Sequence, residues 1–324
     1  MGIIYKGKIL ALLLREEEVE KLLNFKEVRD VLYDAFKALG EKLAVNSKRV
    51  RTPFHGSVLT YQSGGFDHYL GFKAFIKGSF LSILYDENGE ILLIAESDLL
   101  TRIRTGAISV LASDLIKKSY ETVSIIGLGK QGKYQVKAFK ELKPGVNIKV
   151  FSREKLDSEV KVLEREGIKV IRAKDYKDAC KADVIVTITN SKDPFVKLEF
   201  LERGTHINAM GSNLPERVEL FPEVLKASSL IVVEDIEQAK EEAGDLILAS
   251  KMNMLDWNKV YQFSDIVLGK ISRTSNDEIT VFKSMGIGLE DVAVLKLLYE
   301  KAKKYGVGTE INIRGKWSQG SEGK

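Results

Sequence analysis

One stretch limits what this chain can fold into more than any other. The apolar run Val123-Ser124-Ile125-Ile126 leads into Gly127-Leu128-Gly129-Lys130-Gln131-Gly132 and then into a helix-forming segment that reaches Leu142. A G-x-G-x-x-G pattern between a strand and a helix has a defined geometry. The first glycine permits a tight turn, the second lets the backbone approach a pyrophosphate, and the third lets helix and strand pack closely; the helix N-terminus adds amide donors and partial positive charge. The same rhythm continues downstream. Strands read at 147–151, 169–172, 183–189, 206–210 and 230–234 alternate with helical stretches, as in a parallel sheet with crossover helices. The fold class expected is therefore α/β, with a Rossmann-type dinucleotide-binding domain that starts near residue 119.

The first part of the chain has another texture. Helical spacing recurs at Val19, Leu22 and Leu23 and again at Val28, Leu32, Ala35 and Phe36, before short alternating runs at 57–61, 69–75, 81–85 and 91–95. This predicts an α+β domain over 1-118, and a further long helix reads at 290–305. With 324 residues and 50 basic against 46 acidic side chains, the charge is too evenly mixed for a polyanion-binding surface, so no nucleic-acid partner is expected. The lone Cys180 excludes an intrachain disulfide, and the scattered His55, His68 and His206 show no metal-ligand spacing. The apolar start at 9–14 is cut short by Arg15 and has no small-residue cleavage site, so neither a signal peptide nor a membrane partner is expected, and the location expected is cytoplasmic.

The tip of the second strand selects between nicotinamide nucleotides: an acid there suits a free ribose 2′-hydroxyl, an arginine a 2′-phosphate. Here it reads Phe151-Ser152-Arg153, which favours NADP(H), with NAD(H) possible through the neighbouring Glu154. The polar strand ends Thr187, Thr189 and Asn190, and the turn Ala209-Met210-Gly211-Ser212-Asn213, would lie at the carboxyl edge of the sheet near the nicotinamide. Isolated cations in the first domain suggest the other half of a site. Lys73 interrupts an apolar strand, Arg51 precedes Thr52-Pro53, and Arg104 is read as opening a helical run at 107–116 whose N-terminus would help to bind an anion.

Taken together, these residues resemble the ornithine cyclodeaminase/μ-crystallin family, which includes an archaeal type of alanine dehydrogenase and several ketimine or cyclic-imine reductases. The marks are Arg51, Gly71-Phe72-Lys73, Arg102 to Ser109, the glycine loop, Asn208 to Asn213, Glu242 to Leu246 and Ile279 to Asp291. The resemblance implies a homodimer whose first domain, 1-118 completed by 289-324, supplies dimer contacts and a substrate pocket, with the Rossmann domain over 119-288. It places Arg51, Lys73 and Arg104 around the substrate carboxylate and reacting nitrogen, and Arg104 and Thr105 near the cofactor. It also implies an NAD(P)-dependent oxidoreductase that interconverts an α-amino acid and its α-imino acid. The cofactor-binding residues expected are then Arg104, Thr105, Gly127, Gly129, Lys130, Gln131, Gly132, Ser152, Arg153, Thr187, Thr189, Met210, Gly211 and Ser212. Lys73, Asn213 and Asp291 are the catalytic candidates. One departure matters: ornithine cyclodeaminases resemble this chain around Gly211 but carry aspartate where Asn213 stands, and asparagine is no general base. An ornithine cyclodeaminase that forms proline and ammonia is thereby the alternative enzyme. A non-catalytic, crystallin-like binder of NADPH or a small ligand is the alternative of another class.

Overall fold

The structure, a computed structural model, describes residues 10–211 and 213–313. Contacts divide these into two compact units, the first from 10–24, 42–101 and 287–313, the second from 25–41 and 102–286. The sequence reading kept everything up to 118 in one domain. Contacts instead assign helix Phe25–Gly40, and helix Asp98–Ile116 beyond Thr101, to the second unit. The reason is packing: Phe36 meets Phe263 edge-on at 4.9 Å, and a Cβ on Gly106 would stand 2.8 Å from the Tyr134 carbonyl oxygen.

In the first unit the sheet runs Thr309–Ile311, Ala11–Leu14, Ile91–Glu96, Ser79–Asp86, Tyr69–Ile76, Ser57–Phe66, Ala44–Asn46, with Val50–Phe54 also paired to Ser57–Phe66. Its register sets Gln62, Lys73 and Ser82 side by side on one face. Helix Gly288–Tyr305 lies on that face because the strands offer glycines beneath it. A Cβ on Gly64 would fall 2.8 Å from the Leu289 backbone, and one on Gly288 would fall 2.3 Å from the Ser63 carbonyl oxygen. The opposite face carries Val45, Leu59, Tyr61, Leu70, Ile76 and Leu81, all exposed.

In the second unit an eight-stranded sheet is parallel throughout. Its order is Ile171–Arg172, Asn147–Phe151, Thr122–Ile126, Val184–Thr187, His206–Ala209, Thr280–Lys283, Leu230–Val233, Val260–Gln262. The four strands beginning at Val184, His206, Leu230 and Thr280 are buried from end to end, as sheets covered on both faces are. Strands Thr280–Lys283 and Val260–Gln262 were not read from the sequence. The polar groups inside are satisfied locally: His206 Nδ1 and Nε2 meet Thr280 Oγ1 at 2.9 Å and Asn208 Oδ1 at 3.1 Å, and Asn208 Nδ2 donates to Ser113 Oγ at 2.8 Å. Burial pushes His206 down to about 3, which makes it a neutral structural group.

Candidate functional site

The glycine loop sits on the second unit. Strand Thr122–Ile126 ends in Gly127, whose φ of +106° suits glycine and whose amide donates to the Phe151 carbonyl at 2.8 Å. A Cβ on Gly132 would stand 1.9 Å from the Gly127 oxygen, so loop and helix Lys130–Leu142 touch backbone to backbone. Gly129, the helix N-cap, is different: nothing lies within 4 Å of where its Cβ would be. Two glycines are thus needed by the protein's own packing, while the third leaves open the approach a pyrophosphate needs. That donor set fits a dinucleotide.

The loop opens onto a cavity of about 370 Å³ lined also by Ser152, Arg153, Glu154 and Tyr176. Strand Asn147–Phe151 stops before Ser152, so both charged residues stand just beyond its tip. They are exposed, with Arg153 Nη2 at 3.7 Å from Glu154 Oε1, and Ser152 Oγ donates to the Glu154 carbonyl at 2.8 Å. Lys130 is exposed, and Gln131 is half-buried with its side-chain oxygen unbonded.

Along the carboxyl edge of the sheet, the candidates meet a carboxylate that the sequence reading did not single out. Glu219, fully buried, accepts from Thr187 Oγ1 at 2.7 Å, from the Thr189 amide and hydroxyl at 2.7 and 2.8 Å, and from the Gly211 amide at 3.0 Å. The Thr187 hydroxyl is thereby committed to the protein. Asp245 Oδ1 accepts from the amides of Glu219 and Leu220 at 2.6 and 2.9 Å, and Lys283 Nζ donates to the Ala209 carbonyl at 3.0 Å with Asp245 Oδ2 at 3.4 Å. Met210 is buried and Asn213 half-buried nearby in sequence, while Ser212 lies outside the described residues. A lone charge between Val218 and Leu220 was the available signal for Glu219.

Arg104 does not open a helix. The helix begins at Asp98, because the Glu16 carboxylate accepts from the Asp98 and Leu99 amides at 2.8 and 3.0 Å and so satisfies its first donors. Arg104 therefore sits inside the helix, buried, with its guanidinium against the backbone of Gly286: a Cβ there would fall 2.5 Å from Nη2. Gly286, with φ at +72°, is fixed by Glu234, whose Oε2 accepts from the Met285 and Gly286 amides at 2.8 and 2.9 Å. The Thr105 carbonyl accepts from Gln135 Nε2 at 3.0 Å, which ties this helix to the one that starts at the glycine loop.

In the first unit, Lys73 is 2% exposed and donates to Asp291 Oδ1 at 2.8 Å and Thr101 Oγ1 at 3.2 Å. Gln62 Nε2 donates to Asp291 Oδ2 at 2.5 Å, and Gln62 Oε1 accepts from Arg49 Nε at 2.7 Å. The glycine pairing described above is what lets the first turn of helix Gly288–Tyr305 come near enough for Asp291 to reach the sheet. Asp291 also stands in the first turn of that helix, where its carboxylate complements the positive end of the helix dipole. Arg51 lies on strand Val50–Phe54 opposite Thr60, half-buried, on the face that bears Gln62 and Lys73.

Known proteins resemble this chain over most of its length. Residues 78–306 match the ornithine cyclodeaminase/mu-crystallin family. The alanine dehydrogenase of Archaeoglobus fulgidus is 32% identical over 319 residues, covering 93% of this chain and 98% of that protein. A solved archaeal alanine dehydrogenase dimer with bound NAD superposes with a TM-score of 0.87 at 32% identity, over 94% of this chain and 99% of that one. The Thermococcus litoralis Δ1-pyrroline-2-carboxylate reductase, solved with NADH and L-proline, gives 0.86 at 29% identity, over 93% and 100% of the two chains. With a matching family across most of its length and a relative of this identity and coverage, the chain belongs to the ornithine cyclodeaminase/mu-crystallin family.

Proposed function

We propose that the protein is an oxidoreductase that uses a nicotinamide nucleotide, preferring NADP(H), to interconvert an α-imino acid and the corresponding α-amino acid. The observation that carries this reading is the buried Lys73–Asp291 pair: a cation set into a sheet interior and fixed there by a carboxylate is a proton-bearing group of the kind that serves a reacting nitrogen. The nucleotide, when bound, supplies or accepts the hydride. Arg51 and Arg104 are assigned to the substrate carboxylate, where charge-assisted hydrogen bonds fix orientation. Lys73 is assigned to the proton at the reacting nitrogen, with Asp291 keeping its ammonium in place. Asn213, lacking a carboxylate, is assigned hydrogen bonding alone, which turns the reading away from ring closure with loss of ammonia. The exposed apolar sheet face of the first unit supports a homodimer, as does the dimeric archaeal alanine dehydrogenase. Among the described residues no helix is long and apolar enough to cross a membrane, and we take the site of action to be the cytoplasm.

The test is a substrate screen. Stoichiometric NADPH oxidation with Δ1-pyrroline-2-carboxylate, Δ1-piperideine-2-carboxylate, or pyruvate plus ammonia is the expected result. Ammonia and proline released from ornithine with catalytic NAD⁺ would replace it with a cyclodeaminase, and nucleotide binding without turnover on any of these would leave a non-catalytic binder. For the cofactor, Arg153→Ala should weaken NADPH binding by about 1–3 kcal/mol and leave NADH nearly unchanged. Equal losses, measured by fluorescence titration, would remove Arg153 from the phosphate.

A further inference from the structure

Sheet topology fixes which end of a dinucleotide each strand tip meets. From Thr122–Ile126 the chain builds outward through Asn147–Phe151 on one side and then through Val184–Thr187 and His206–Ala209 on the other, so the crevice between Thr122–Ile126 and Val184–Thr187 is the switch point at which such sheets bind ligands. The Ser152–Arg153 tip serves the adenosine half, which leaves the tips that end in Thr189 and Gly211 for the nicotinamide half. Those two tips are held by one side chain. Each oxygen of Glu219 accepts two donors: Oε1 takes the amide and hydroxyl of Thr189, and Oε2 takes the Thr187 hydroxyl and the Gly211 amide. The approach is so close that a Cβ on Gly211 would fall 2.4 Å from Oε1.

Building on the proposed function above, we infer that Glu219 is a positioning residue for the nicotinamide end of the site, and that only its ionised carboxylate sets the two strand tips where the ring is seated. Four donors converge on two oxygens, so neither oxygen has room for a hydrogen of its own. An amide at this position would turn an N–H toward a backbone N–H whichever way it flipped. Protonation has the same fault. The charges that face the carboxyl are Lys283 and Asp245 within the buried network, with Tyr176 at the cavity wall. Burial pushes the Glu219 carboxyl above the ordinary range and Asp245 pushes it further, while Lys283 and the two threonine hydroxyls draw it back.

The experiment compares two probes, NADPH and 2′-phospho-ADP-ribose, the same nucleotide without its nicotinamide. Glu219→Gln, nearly isosteric, should weaken NADPH by about tenfold or more while 2′-phospho-ADP-ribose binds as in the wild type. Glu219→Asp, which keeps the charge, should recover part of the loss. Should Glu219→Gln not fold, the wild-type protein still decides: its preference for NADPH over 2′-phospho-ADP-ribose should shrink as pH falls and Glu219 takes up a proton, the 2′-phosphate titration cancelling in the ratio. Equal losses of both probes in Glu219→Gln, or a preference flat down to the pH at which the protein unfolds, overturn the inference and leave Glu219 a general structural group. Failure of the wild type to bind either probe would instead sink the NADP(H) preference, and failure with NADH and ADP-ribose as well would sink the nucleotide reading itself.

Discussion

Lys73→Met should lower turnover by about a thousandfold, within the range that general acid–base groups contribute, while NADPH still binds. The same change should cost about 3–5 kcal/mol of stability, because it leaves Asp291 buried without its lysine. The two effects separate in the double variant Lys73→Met/Asp291→Leu. Replacing a buried ion pair by apolar side chains of similar volume is often neutral for stability, so thermal unfolding should return toward the wild type. Turnover should not return. Activity retained in Lys73→Met, or restored together with stability in the double variant, would show that the pair merely holds the sheet and helix together. Denaturation midpoints and single-turnover rates on the two variants measure both quantities.

Gly129→Ala is the second large effect, and it concerns binding alone. Its backbone φ of −73° is ordinary for an L residue, and no atom lies within 4 Å of the added methyl, so the melting temperature should not change. Nucleotide affinity should fall about tenfold to a hundredfold, the scale of one charged hydrogen bond lost when the methyl keeps a diphosphate from the helix amides. Gly132→Ala is the control. There the Cβ would stand 1.9 Å from the Gly127 oxygen, so stability and affinity should fall together. If calorimetry finds Gly129→Ala binding like the wild type, the nucleotide does not lie against this loop.

What the sequence disclosed depended on how far apart the interacting residues were. Gly127, Gly129 and Gly132 are close in sequence, and their local pattern specified strand, turn and helix together. Lys73 was visible because a charge inside Leu70-Gly71-Phe72-Lys73-Ala74-Phe75 conflicts with a buried strand, and it is indeed 2% exposed. Its partner was not visible in that role: Asp291 stands 218 positions away, and nothing in its own neighbourhood separates a helix-start carboxylate from an ion-pair partner. Arg104 was assigned to the wrong part of its helix, since the capping group is Glu16 from a distant segment and Arg102 and Arg104 break the apolar spacing before Ala107. Glu219 escaped because a single carboxylate in a loop looks solvated until four donors are found around it. Strand Thr280–Lys283 is four residues long and carries Lys283 at its end, so its apolar core of Val281 and Phe282 is too short to stand out.

That short strand governs the order in which the protein can be made. Thr280–Lys283 is the last strand of the parallel sheet to leave the ribosome, yet it takes an interior place, and Leu230–Val233 and Val260–Gln262 join the other strands only through it. A nascent chain that has emerged only as far as 279 has its phosphate loop complete, while Leu230–Val233 and Val260–Gln262 lack the strand that joins them to the rest of the sheet. The sheet therefore cannot be built in chain order, and those strands stay prone to aggregation until residues 280–283 have emerged.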